Sequence, residues 1–151
     1  MQIILIIHSL VRWLILLFGL LAVVKAIGGL TSNSLYSKGD NRNSLLFMIF
    51  CDIQFLIGLA LYFGNTWFDQ LKVPSNMKVA GIRFFTVEHS VMMILAWILV
   101  HIGRSAVKKT IGDRAKHKKT LIYFGLALLL ILAAIPWPFR EAVARPLLRW
   151  F

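Results

Sequence analysis

Cysteine and acidic residues are scarce in this 151-residue chain, which holds one Cys and six Asp and Glu in all. The single Cys51 excludes an internal disulfide, a multi-thiolate metal centre and covalent c-type haem attachment, which needs two thiols followed by a histidine. Cys51 is read as a small packing residue. Spaced Cys and His clusters of the zinc-binding kind are absent too, so the four histidines must be judged on their own. The shortage of carboxylates beside 17 Lys and Arg leaves a net charge of +11. Those cations lie between apolar segments and at the tail rather than on an independent basic fold, so no nucleic-acid partner is expected.

Long polar stretches are missing as well, and the composition says why. Hydrophobic residues make up 59% of the chain and aromatics 13%, with a mean hydropathy of +0.77, well beyond the apolar share of a soluble domain. The expected fold is an all-α integral membrane protein: a single four-helix transmembrane bundle over residues 1–151. An apolar run of about 18 residues or more can cross a hydrocarbon core of roughly 30 Å as helix. Four such runs lie near 3–26, 44–63, 84–104 and 120–135. The first lacks a basic start and a small-residue cleavage site before Lys25, and carries His8 and Arg12 in its apolar stretch, so it is read as a helix and not a signal peptide. The connections 28–43 and 64–83, with Gly, Ser, Asn and Pro74, read as loops with room for a short interfacial helix.

Charge sets the expected orientation. The third connection holds Arg104, Lys108, Lys109, Arg114, Lys116, Lys118 and Lys119, the strongest positive-inside signal in the chain. With that loop cytoplasmic, Lys25, Lys38 and Arg42 also lie inside. Both termini then face the periplasm, with Lys72, Lys78, Arg83, Arg140, Arg145 and Arg149 outside. Trp67 and Trp137 fit an aromatic belt at the outer interface, and Trp150 and Phe151 are expected to dip back towards lipid.

His8 and His89 are the leading candidates for chemistry. Each lies five residues into its span, so at 1.5 Å per residue both sit about 8 Å below the outer ends of two helices running in the same direction. Imidazoles are costly in lipid and are normally turned into a bundle interior, so two at one depth point to a shared ligand. Two imidazoles facing each other across a bundle are what six-coordinate haem b requires. Arg12, at i+4 from His8 and hence on its face, would meet a haem propionate, Glu88 or Asp52 as its anion. The plainer alternative is a polar clamp of His8, Arg12 and Glu88 that fixes helix register without a cofactor. A second pair, His101 and His117, could hold an inner haem. Against it, a separation of 12 residues turns a helix by about 120°, so His89 and His101 fall on different faces. His117, among Lys116, Lys118 and Lys119, also reads as a wet interfacial residue. Asp52 is a candidate for proton transfer or quinone chemistry alongside Glu88; Gln54 reads as an interhelical hydrogen bond and Gly58 as a close-approach position. Met92, Met93 and Trp97 read as packing.

The strings Ile7-His8-Ser9-Leu10-Val11-Arg12-Trp13, the run from Ile53 through Gly58 to Phe63, Val87-Glu88-His89, Lys116-His117-Lys118-Lys119 and Ile135-Pro136-Trp137-Pro138 resemble small four-helix bacterial membrane proteins labelled cytochrome b or b561-like. The resemblance covers all four helices. It implies a haem-binding bundle with His8 and His89 at the helix-embedded histidine positions. Such proteins can carry His just before the Ile-Gln pair, where this chain has Asp52, and a second site built on that His does not carry over. The reading is a b-type cytochrome-like subunit of a bacterial inner membrane. It would hold one haem b, with a second left open, and pass electrons from a quinol to a partner protein. Its expected partners are membrane lipid, other subunits of a membrane complex and a quinone. The alternative is a cofactor-free accessory subunit of a larger complex. A small haem-dependent porphyrin oxidase would call for a central intramembrane Lys, and none is placed there.

Overall fold

The computed structural model describes residues 1–148; the expectation for Trp150 and Phe151, and the count of Arg149 among the outer cations, lie outside the described residues. Those residues form helices and connections, with no strand among them. Helix α1 spans Gln2–Ser32 and α2 Lys38–Gly64; a short α3, Trp67–Gln70, and a 3-10 turn, Pro74–Lys78, follow. Helix α4, Ala80–Arg83, runs through a π turn, Phe84–Glu88, into α5, His89–Lys109, and α6 spans Asp113–Ala134. Four helical stretches are long and apolar enough to cross a membrane: Gln2–Ser32, Lys38–Gly64, Ala80–Lys109 and Asp113–Ala134. Each extends beyond the apolar run that marks it in the sequence, because polar residues continue the helix past the hydrocarbon. Helix α2 gains its first turn this way.

Local chemistry sets the ends. Ser37 Oγ accepts the Asp40 backbone N–H at 3.1 Å while the Asp40 carboxylate accepts the Ser37 N–H at 2.8 Å, a reciprocal capping box that starts α2. Replacing Ser37 by Ala removes one half of that box and is expected to cost about 1 kcal/mol, read as a lowered midpoint in a denaturation series in mild detergent. Asn33, in the left-handed region at φ 52°, closes α1. Gly112, at φ +89°, makes the tight turn between α5 and α6.

The four long helices form a ring in the order α2, α1, α6, α5, so α1 and α5 lie diagonally opposite. The α2–α5 seam is the least closely packed side of the ring. Lipid gives helices no hydrophobic reason to associate, so close packing of small residues must supply the contact. Gly103 shows it: a Cβ there would lie 2.5 Å from Cβ of Tyr123 and 2.9 Å from the Phe124 ring. Phe47, Val100, Phe124 and Ala127 are buried together with Ile15, Ala22 and Cys51 in one core. Cys51 packs there as a free thiol. Much of this core lies in the half of the bundle remote from the termini, while Ile15, Cys51, Ile131 and Ile135 reach the lining of a cavity. That cavity occupies the half nearer the termini.

Arg104, counted with the third loop in the sequence, belongs instead to α5 and is buried. Its guanidinium donates to Asn41 Oδ1 and Ser44 Oγ, each at 2.8 Å, which ties the end of α5 to the start of α2.

Candidate functional site

The cavity encloses about 730 Å³, within the range of roughly 300–1,000 Å³ typical of small-molecule and cofactor sites. His8 of α1 and His89 of α5 reach into it from diagonal helices, and Gln54, Gly58 and Tyr62 of α2 form one wall. Those three α2 residues recur every four positions, which places them on one helix face. Most of the remaining lining is apolar and aromatic, including Leu5, Phe55, Phe85 and Trp97.

His89 is held by the end of α6. The last carbonyls of a helix have no intrahelical donor, and here each finds one. Ala134 O accepts from His89 Nδ1 at 2.9 Å, Ala133 O from Arg140 at 2.8 Å and Leu132 O from the Trp137 indole N–H at 2.9 Å. Donation through Nδ1 fixes the tautomer and leaves a lone pair on Nε2. The π turn Phe84–Glu88 precedes His89 directly and is braced by Tyr62 Oη donating to Thr86 O at 3.0 Å. Such turns shift the phase of the residues that follow and recur at functional sites.

His8 faces the position of Gly58, where a Cβ would stand 3.6 Å from its Cε1. Gln54 Nε2 donates to the His8 backbone carbonyl at 3.0 Å, the interhelical bond expected of Gln54. Nδ1 of His8 is buried without a hydrogen-bond partner. Among the described residues no hydrogen bond engages Nε2 of either histidine.

The two imidazole centroids are 6.4 Å apart, with planes inclined at 62°. A metal–imidazole bond is about 2.0 Å and the ligating nitrogen lies about 1.2 Å from its ring centre, so two imidazoles trans to one metal have centroids about 6.4 Å apart. The spacing therefore admits an atom that binds both rings. Among the described residues no group of three or more His, Cys, Asp or Glu could hold a metal ion. Two nitrogens alone leave a bare cation short of ligands, whereas a macrocycle that brings four of its own needs two axial ones. The donor set and the cavity thus fit a haem.

Arg12 lines the cavity one turn from His8. Its guanidinium donates to Ser9 Oγ at 3.4 Å and to the Leu147 carbonyl, to which the Trp13 indole also donates at 3.1 Å. The C-terminal segment is thereby drawn over the mouth of the cavity, and Arg145, stacked 4.8 Å above the Phe85 ring, becomes a second cation in the lining. Arg145 was invisible as a site residue in the sequence, because only the folding back of the tail brings it there. Arg12→Leu is expected to loosen this tether and speed proteinase K cleavage within residues 141–148 several-fold, since segments with few contacts open locally; an unchanged rate in a timed digest would contradict the tether.

The other sequence candidates are distributed differently. Glu88 does not join Arg12: it pairs with Arg83 at 2.7 Å on an exposed face, because one residue before His89 is about 100° round the helix. The clamp of His8, Arg12 and Glu88 is therefore not formed. Asp52 is not Arg12's partner either, and accepts from His101 Nε2 and Trp97 Nε1 at 2.7 Å each. His89 and His101 do fall on different faces, the first lining the cavity and the second turned to Asp52.

His117 corrects the expectation of a wet position. It is 1% exposed, packed on Gly29 of α1 and 5.1 Å from the Tyr36 ring, because α6 begins at Asp113 and turns this residue inward while its lysine neighbours point out. With His101 facing α2 and His117 facing α1, the structure does not bring this second pair together.

Comparison of the chain with protein-family models, with curated proteins and with solved structures finds no match in any of the three. The functional reading therefore rests on geometry.

Proposed function

We propose that this chain is a b-type cytochrome-like membrane subunit that binds one haem b between α1 and α5 and carries electrons within the bilayer. The observation that carries this reading is the 6.4 Å separation of two imidazoles presented by diagonal helices into one apolar cavity. Once bound, the haem would supply reversible one-electron redox chemistry.

The protein's part is to hold and tune. His8 and His89 would hold the iron through imidazole nitrogens, with the Ala134 carbonyl raising the basicity of His89 through its hydrogen bond. Arg12 and Arg145, both in the cavity lining near the termini, are the cations that would face two propionates. Aromatic and aliphatic walls exclude water. In this reading the termini face the periplasm, the membrane is the bacterial inner membrane, and a quinol and a partner protein are the electron donor and acceptor. Neither His101 nor His117 is a ligand, which limits the site to one haem.

The test is purification after haem-replete expression, followed by oxidised and reduced visible spectra and a pyridine haemochrome count. About one haem per chain with a sharp reduced α-band is expected. A well-folded colourless protein would overturn the reading and favour an accessory subunit without a cofactor.

A further inference from the structure

The Asp52–His101 pair is a second polar site, separate from the cavity. Asp52 belongs to α2 and His101 to α5, and each side chain keeps 37% of its surface exposed. Neither residue lines the cavity, so that exposure opens outward at the α2–α5 seam. His101 lies eight residues before Lys109 and Asp52 fourteen after Lys38, about 12 Å and 21 Å along their helices from the basic end of the bundle. Both positions fall within helices long and apolar enough to cross a membrane. Ionisable groups at that depth are normally turned to the bundle interior, so an outward-facing pair calls for a ligand that arrives through lipid.

The chemistry of the site narrows that ligand. Oδ1 of Asp52 is taken by His101 and by Trp97, whereas among the described residues no donor reaches Oδ2 and no partner reaches His101 Nδ1. The open carboxylate oxygen accepts a hydroxyl. Trp97 stacks on Phe55 at 4.8 Å and 14° and lies 4.5 Å from the His101 ring, so a flat aromatic surface flanks the carboxylate. Phe55 and Trp97 also line the cavity. They form the wall between the seam and the two histidines. A phospholipid headgroup stays at the interface and would set phosphate against carboxylate.

We infer that Asp52 and His101 form the headgroup site of a membrane quinol, which enters between α2 and α5, donates a hydroxyl to Asp52 Oδ2 and lies against the Phe55–Trp97 stack. Binding itself needs no haem; only the use of this quinol as an electron source rests on the function proposed above.

The experiment is calorimetric titration of duroquinol, kept reduced, into the full chain in lipid nanodiscs, with empty nanodiscs subtracted for partitioning. Saturable binding of one quinol per chain is expected, equally for protein prepared with and without haem, and at least about tenfold weaker for both Asp52→Asn and Asp52→Leu. Helical circular dichroism confirms that each variant is folded, and the two substitutions separate loss of the acceptor's charge from loss of the acceptor. Three results would overturn the inference: no saturable binding by the unaltered chain, equal affinity in the folded Asp52 variants, or no quinol binding together with a dimer that Asp52→Leu dissociates, which would make the seam a contact between copies. Binding that persists in a chain found to take up no haem would leave the quinol site standing and sink only the electron-carrier reading.

Discussion

On the proposed haem reading, His8→Ala and His89→Ala are each expected to remove the low-spin haem spectrum and to leave any remaining haem held at least about tenfold more weakly. The expectation follows from the two-residue donor set: each histidine would supply one of only two protein ligands, and no third His, Cys, Asp or Glu stands with them among the described residues. Even outer partners of a metal ligand change affinity by about 10–100-fold when removed, so loss of a ligand itself cannot do less. The two variants should differ in kind. His89→Ala also deprives the Ala134 carbonyl of its donor, which costs about 1–3 kcal/mol if the group stays buried and dry. His8→Ala breaks no hydrogen bond to the imidazole, since Nδ1 has none. His101→Ala and His117→Ala are expected to keep the spectrum. The measurement is visible absorption of ferrous protein with haem counted per chain; a spectrum retained in either His8→Ala or His89→Ala would contradict the assignment.

Gly29→Ala is expected to be among the most damaging single-carbon additions in the chain. A Cβ at Gly29 would collide with Cε1, Nε2 and Cδ2 of the His117 imidazole, which is 1% exposed and has the Tyr36 ring on another side. Packed interiors give little, and an added methyl group without room costs about 1–3 kcal/mol. Chemical denaturation in detergent, followed by circular dichroism, gives the loss. The double variant decides its cause. In a His117→Ala background the imidazole is gone, so the same substitution should cost almost nothing and the two changes should be strongly non-additive. Simple additivity would mean that Gly29 matters for a reason other than His117.

The legible part of this protein was its hydropathy. Four apolar runs required four spanning helices, and the equal offset of His8 and His89 within the first and third runs put them at one depth. That they face each other follows from the ring order, which leaves α1 and α5 diagonal, and pairing order in a bundle is not written in composition. The rest of the lining was partly readable: Gln54, Gly58 and Tyr62 recur with a spacing of four, yet Tyr62 carries no signal of its own as a cavity residue. Arg145 could not have been found, because a short irregular tail folds back on Arg12 and Trp13 through contacts to one backbone carbonyl.

His117 and Arg104 misled for a common reason. Both sit among lysines near a loop, where charge suggests water, but helix phase decides burial. His117 turns towards Gly29, and Arg104 finds Asn41 and Ser44. Asp52 was readable as an unusual intramembrane carboxylate but not as the partner of His101, since the two are 49 residues apart and meet only where α2 crosses α5. Glu88, by contrast, was drawn into the site by its closeness to His89 in sequence, and rotation along the helix takes it out again.

The central claim is that one iron is bound by both His8 and His89. Electron–nuclear double resonance on the ferric protein grown with 15N-histidine tests it most directly, because it counts the histidine nitrogens that couple to the iron. Two coupled 15N nuclei on a low-spin ferric centre are predicted, falling to one in any haem that His8→Ala or His89→Ala still retains. A single coupled nitrogen in the unaltered protein, or two that survive both substitutions, would contradict the account.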